Sequence, residues 1–278
     1  MGSVFFDNSA LTRLFDENAT DRPALLAGLR TLGKLRLSAL NVYETARTPE
    51  PKVRVAKLRF FAEVAGGVTP LADPMALLAG LARNWCERTA PEIVVDELAE
   101  TFLLEPEIVC EEWRHDFSAW SKDQECTFID MHNEFRRVLS TIYGEVGDRF
   151  RDEDQFLQMA FWKPDTIIHA LIAPPFEHWT GEELHPDEVR RFLDQVAPWK
   201  TFVAAQLHVF WLRSATERVA SPKRTGIFDT DSAAYLPYSD YFITNDRAQL
   251  TTMQVANGAN PRSTTVELYA ELRSRLLL

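Results

Sequence analysis

Two aspartates close short apolar runs near opposite ends of the sequence: Asp7 follows Val4-Phe5-Phe6, and Asp246 follows Tyr241-Phe242-Ile243-Thr244-Asn245. Runs of this kind read as buried strands. In open α/β sheets the carboxyl ends of parallel strands face one crevice, where ligands bind, so the two carboxylates are expected to meet. Glu44, on the helix after a second strand, and Asp229, at the start of another helix, would complete a cluster whose donors are all oxygens. Such a cluster suits Mg²⁺ or Mn²⁺, which take carboxylates, water and substrate phosphates as ligands. A single carboxylate after a strand is more often a helix cap. The weight therefore rests on the set.

The elements that must position these residues can be read around them. Asp7-Asn8-Ser9 turns the first strand into a helix from about Ala10, and Pro23 opens a second helix that Gly33 stops after Leu32. Leu35 to Leu37 reads as a second strand. Ser38 is an N-cap for the helix Ala39 to Arg47, which places Glu44 in its second turn. From Pro51 to about Val219 the spacing predicts helices alone, near 53–64, 74–84, 91–103, 106–121, 124–144, 154–172, 186–194 and 198–219. Aromatics at helical spacing there, including Trp113, Phe117, Trp120, Phe128 and Phe135, read as packing surface. The polar turn Ser221 to Gly226 ends this stretch. A short helix over Asp229 to Tyr238, the strand 241–244, a helix from Arg247 to Ala256, a strand at Thr264 to Val266 and a terminal helix near Tyr269 to Leu276 then follow.

Composition bounds the rest. With 278 residues and 46% hydrophobic content, the chain can bury a sizeable core. Cys86, Cys110 and Cys126 are odd in number and form no CxxC pair, so a disulfide framework or zinc knuckle is not expected and a reducing, cytoplasmic compartment is. The opening residues acquire acids before a long apolar stretch can form, which does not read as a signal peptide, and no membrane span is expected. The net charge of −11 argues against bulk coating of nucleic acid. Residues 22–59 run against that average, with nine basic residues to Glu44 and Glu50 alone. They could carry a phosphate backbone toward an acidic site. Their plainer reading is a set of solvated helix faces.

The ordered set of motifs resembles that of PIN-domain metal-dependent nucleases. Val4-Phe5-Phe6-Asp7-Asn8-Ser9 is similar to the family's first motif, and Leu37-Ser38-Ala39-Leu40-Asn41-Val42-Tyr43-Glu44 to its second. Residues 229–246, ending Thr244-Asn245-Asp246, are similar to the third and fourth motifs run together. The resemblance covers roughly 1–65 and 222–278. It implies a Rossmann-type parallel sheet flanked by helices. Residues 66–221, between the two matched parts, read as an all-helical insertion, packed on the core because no Gly/Ser-rich linker flanks it. The resemblance also implies a Mg²⁺- or Mn²⁺-dependent endoribonuclease in which Asp7, Glu44, Asp229 and Asp246 hold the metal and Ser9, Thr244 and Asn245 orient the aspartates. Asp231 is the substitute for Asp229, which is preferred on its spacing to Thr244-Asn245-Asp246. RNA as partner comes from this resemblance alone.

The insertion departs from a minimal PIN core. Its expected roles are a lid, a surface for a protein partner or a contact between copies. Two competing classes follow: a catalytically weak PIN-like interaction module, and a metal phosphohydrolase acting on a small phosphorylated molecule. No P-loop, GxGxxG or GxSxG occurs, which disfavours nucleotide motors, dinucleotide enzymes and α/β-hydrolases. His132 between Asp130 and Glu134, and Asp165 with His169 at i, i+4, are weaker metal candidates.

Overall fold

The computed structural model describes residues 2–89, 94–123, 133, 137, 152–215 and 230–277. Four strands, β1 (Ser3–Phe6), β2 (Lys34–Arg36), β3 (Tyr241–Thr244) and β4 (Thr265–Leu268), form one parallel sheet in the order β2-β1-β3-β4. The register pairs Val4 with Leu35 on one side and with Tyr241 on the other. The fold is therefore α/β, a parallel sheet flanked by helices.

Val4, Phe5 and Phe6 are all buried because helices cover both faces of the sheet. A strand of a parallel sheet reads as a continuous apolar run for that reason. Alternation still sorts them. Val4, Phe6 and Ile243 join one core with α1 (Asn8–Asp16), α2 (Asp21–Leu32), α3 (Ala39–Ala46), α4 (Pro51–Ala65), α6 (Glu97–Leu104) and the final helix Tyr269–Leu276. Phe5 and Phe242 join the other, with α5 (Pro74–Glu87), the helices Glu153–Trp162, Ile167–Thr180, Val189–Gln195 and Ala197–Ala215, and the helix Arg247–Gly258. Phe5 stacks on Tyr235 and Phe242 with ring centroids 4.7 and 5.4 Å apart, so truncating it to Ala should cost about 3–5 kcal/mol.

Two local devices fix the first crossover. Asp7 caps α1 by accepting from Ala10 N, and Gly33 lets α2 turn into β2 beside Gly2. A Cβ at Gly33 would stand 2.2 Å from the Gly2 carbonyl oxygen, so only glycine fits that close approach.

The stretch expected to be wholly helical departs from that reading at one edge. Leu71 forms a parallel bridge with Ser38 and an antiparallel one with Val95, and Leu71 N donates to Leu37 O at 2.9 Å. These bonds pair backbone groups of the chain between β2 and α3. Residue 71 is thus bridged to the chain just beyond β2, outside the four strands of the sheet. Helix ends shift as well: the segment expected at 91–103 begins at Glu97, and that at 154–172 breaks at Lys163-Pro164, where proline cannot continue the ladder. The segment expected at 106–121 is a 3₁₀ turn, Pro106–Ile108, followed by a helix over 111–123. The short helix expected over 229–238 is 3₁₀ from Ser232 to Tyr238. Of the segment expected at 124–144 only Asn133 and Arg137 are described, and Phe128 and Phe135 lie outside the described residues. Trp113, Phe117 and Trp120 do pack inward, against Tyr43 and Phe102. No described helix is long and apolar enough to cross a membrane.

Candidate active site

The chain leaves β1 toward α1 on one face of the sheet and leaves β3 toward the helix Arg247–Gly258 on the other. Where the connections part in this way, a crevice opens at the carboxyl ends of the strands. A cleft of about 470 Å³ lies there, lined among others by Asp7, Asn8, Ser9, Asn41, Glu44, Ser232, Asn245 and Asp246. Three of the four expected carboxylates therefore share one cleft. The fourth, Asp229, lies outside the described residues. Asp231, its substitute, is 3% exposed and accepts from Gln206 Nε2 at 3.1 Å; it does not line the cleft, although Ser232 does.

Helical spacing explains which side chains reach the cleft. Ser9, Thr12, Arg13 and Asp16 form the i, i+3, i+4, i+7 stripe of α1 that lines it, while Ala10, Leu11 and Leu14 face the core. On α3, Asn41 and Glu44 are three residues apart and both line the cleft. The neighbouring Tyr43 points elsewhere, donating its hydroxyl to Asp96 Oδ2 at 2.8 Å. Burial and the Asp96 carboxylate push the Tyr43 phenol well above its usual range.

Asp7 is 7% exposed and tightly oriented. Ser9 Oγ donates to its Oδ2 at 2.7 Å, Ala10 N to its Oδ1 at 2.8 Å, and Thr244 Oγ1 lies 3.0 Å from Oδ2. The two hydroxyls are themselves held by the loop after β3. Asn245 N donates to Ser9 Oγ at 3.0 Å and Asp246 N to Thr244 Oγ1 at 2.9 Å. Ser9 and Thr244 thus orient Asp7 directly. Asn245 contributes through its backbone. Asp246 is exposed and caps its helix through Oδ1, which accepts from Ala248 N and from Gln249 N at 2.6 and 3.1 Å.

Sequence reasoning passed over Asn41, Gln249 and Arg13. Asn41 Oδ1 accepts from Ser38 N at 2.9 Å while its Nδ2 donates to Phe6 O at 3.2 Å, so it ties α3 to the end of β1. Gln249 lines the cleft and its side chain reaches Thr244. Both stand three residues after a cap residue, the N3 position, and that is the signal by which they could be found. Arg13 is a cation among the cleft carboxylates, and no salt bridge to it occurs among the described residues.

Four of the nine basic residues of the tract are turned to structural use. Arg22 donates to the Phe15 and Glu17 carbonyls, Arg47 to Ser121 Oγ, and Arg59 pairs with Glu107. Arg54, 3% exposed, donates to Thr48 O at 2.8 Å and to Glu111. Elsewhere, His169 Nε2 bonds the Leu184 carbonyl at 2.8 Å. Asp130, His132 and Glu134 lie outside the described residues.

The donor set is all oxygen. Among the described residues no three His, Cys, Asp or Glu side chains lie close enough to hold a metal by themselves. Mg²⁺ needs only one or two direct carboxylates and keeps waters in its remaining positions. Asp7, Glu44 and Asp246 line one cleft and supply oxygen donors of the kind that mode uses. No protein-family model, curated protein or solved structure matches the chain.

Proposed function

We propose that this chain is a divalent-cation-dependent nuclease of PIN-like design, acting on RNA. The observation that carries the reading is the convergence of Asp7, Glu44 and Asp246 on one cleft at the carboxyl edge of the sheet. These residues come from three separate parts of the sequence. Capping alone explains Asp7 and Asp246, but it does not explain why Glu44, on a third element, faces the same space.

Asp7 and Asp246 would hold Mg²⁺ or Mn²⁺, with Glu44 acting directly or through water. When bound, the cation lowers the pKa of a coordinated water and offsets charge on the phosphodiester oxygens. The chain's own residues do the rest. Ser9 and Thr244 fix the orientation of Asp7, Glu44 accepts a hydrogen bond from a water in the cleft, and Arg13 attracts the substrate phosphate. No side-chain nucleophile is required.

The deciding experiment incubates the full chain with RNA and with single-stranded DNA, in Mg²⁺, in Mn²⁺ and in chelator. Chelator-sensitive RNA cleavage is the expected result. Cleavage that persists in chelator, or none with either metal, would overturn the proposal. Hydrolysis confined to small phosphate esters would favour a phosphohydrolase.

A further inference from the structure

Thr244 carries one hydroxyl proton, yet its Oγ1 has three partners. Asp246 N donates to it at 2.9 Å, Asp7 Oδ2 stands at 3.0 Å and Gln249 Oε1 at 2.6 Å. A hydroxyl donates once and accepts twice. Two acceptors would therefore compete for one proton. Thr244 is 0% and Gln249 1% exposed, so solvent does not readily make good the deficit.

A carboxamide offers either its oxygen or its NH₂ after a half-turn of its last torsion, with nearly the same shape. With the NH₂ toward Thr244, every demand is met. Thr244 Oγ1 then accepts from Asp246 N and from Gln249 Nε2, and its proton goes to Asp7.

We propose that Gln249 is a positioning residue of the cleft: its side-chain NH₂ donates to Thr244 Oγ1, which commits the Thr244 proton to Asp7 and holds that carboxylate toward the cation. The role rests on the divalent-site reading above and adds a residue outside the motifs that led to it. Gln249 N also donates to Asp246 Oδ1 at 3.1 Å, so one helical residue acts on both carboxylates. Gln249 acts through Thr244 and Asp7.

Gln249→Glu separates this idea from simple electrostatics. An added carboxylate beside the cleft would strengthen cation binding by charge alone. If the direction of the hydrogen bond matters, the new carboxylate takes the Thr244 proton and leaves two lone-pair oxygens, Thr244 Oγ1 and Asp7 Oδ2, facing each other.

Calorimetric titration of Mn²⁺ into the full chain is therefore expected to show about tenfold or more weaker binding in Gln249→Glu, the usual scale for losing a group that orients a metal ligand. The same change in a Thr244→Val background should cost nothing, while Thr244→Ser should bind as the parent does. Gln249→Met tests loss of the donor without a new charge, should Gln249→Glu not fold.

A second readout needs no metal. One Gln249 side-chain amide proton should exchange slowly in the nuclear magnetic resonance spectrum, and that protection should vanish in Thr244→Val. Unchanged amide protection in Thr244→Val, or equal or tighter Mn²⁺ binding by a folded Gln249→Glu, overturns the proposal. Should the parent bind no Mn²⁺ while the amide signature is present, the donor assignment stands and the divalent reading falls.

Discussion

Thr244 Oγ1 lies 3.0 Å from Asp7 Oδ2 although 237 positions separate the two residues in the chain. The contact exists because β3 pairs with β1 in parallel register, with Asp7 N donating to Ile243 O at 2.9 Å. The two halves of the cleft meet only when that long separation is closed. Such long-range closure is slow relative to local helix formation. The cleft should therefore be among the last features to form.

Asp246 is where capping and chemistry can be told apart. Asparagine caps a helix as well as aspartate does, and Asp246 is exposed, so Asp246→Asn should leave the melting temperature unchanged or slightly raised. Losing a charged ligand should lower divalent-dependent cleavage about a hundredfold. Melting without metal and RNA cleavage with Mn²⁺ measure the two effects separately. Cleavage at the parent rate by a well-folded variant would remove Asp246 from the catalytic set.

Arg13 supplies positive charge where the cleft is otherwise acidic. Arg13→Ala should raise KM for RNA with little change in kcat, and the slope of log affinity against log salt should fall by about one phosphate contact. Binding at several ionic strengths checks this. An unaltered slope would place the phosphate elsewhere.

The roles of Asp231 and Asp229 can be told apart by substitution. Asp231 is the described one of the two. It is buried and takes a hydrogen bond from Gln206, so Asp231→Asn should alter stability and leave cleavage within about threefold, the context-dependence expected of a group outside the reacting centre. Asp229→Asn should cost activity as Asp246→Asn does. The reverse pattern of rates would exchange the two assignments.

Some of this is legible in the sequence for physical reasons. Tyr241-Phe242-Ile243-Thr244 announces β3 because a strand covered on both faces must be apolar throughout, and Glu44 falls toward the cleft because Ser38 sets the phase of α3. Leu71 leaves no such trace. One bridged residue has no periodicity, and its position is set by Ser38 and Val95, which are distant in sequence and bridge it from both sides. Gln249 is hidden differently: a glutamine three residues after an aspartate reads as a helix-start residue, and only the approach of Thr244 gives its amide another task. The basic residues of the tract look alike in sequence, yet the ion pairs of Arg54 and Arg59 depend on acids at 111 and 107 that fold over them.

Asp73 caps α5, accepting from Met75 N and Ala76 N at 3.0 and 3.2 Å. Burial raises its carboxyl above the usual range, opposed by those two hydrogen bonds and aided by the Asp96 charge. A carboxyl whose folded pKa exceeds its unfolded one adds stability that is fully present below the ordinary value, about pH 4, and is lost as pH rises through the folded value. Asp73→Asn keeps the cap and removes the titration. The variant should melt with the parent at low pH and progressively above it as pH rises. Parallel melting curves across that window would contradict the assignment.

Arg54 decides whether the basic tract serves the fold or the ligand. Its guanidinium is 3% exposed, donates to the Thr48 carbonyl at 2.8 Å and pairs with Glu111, whose own carboxyl is held below its usual range first by Arg114 and then by Arg54. A group so enclosed cannot reach a phosphate without leaving its site. Arg54→Met keeps the length and apolar bulk of the side chain and leaves the half-buried Thr48 carbonyl without its donor, a loss of about 1 kcal/mol. RNA affinity and its salt dependence should stay as in the parent. Denaturant unfolding gives the first quantity and salt-dependent binding the second. A stable Arg54→Met with a shallower salt slope would make Arg54 a phosphate contact, and would restore to residues 22–59 the role of a backbone track.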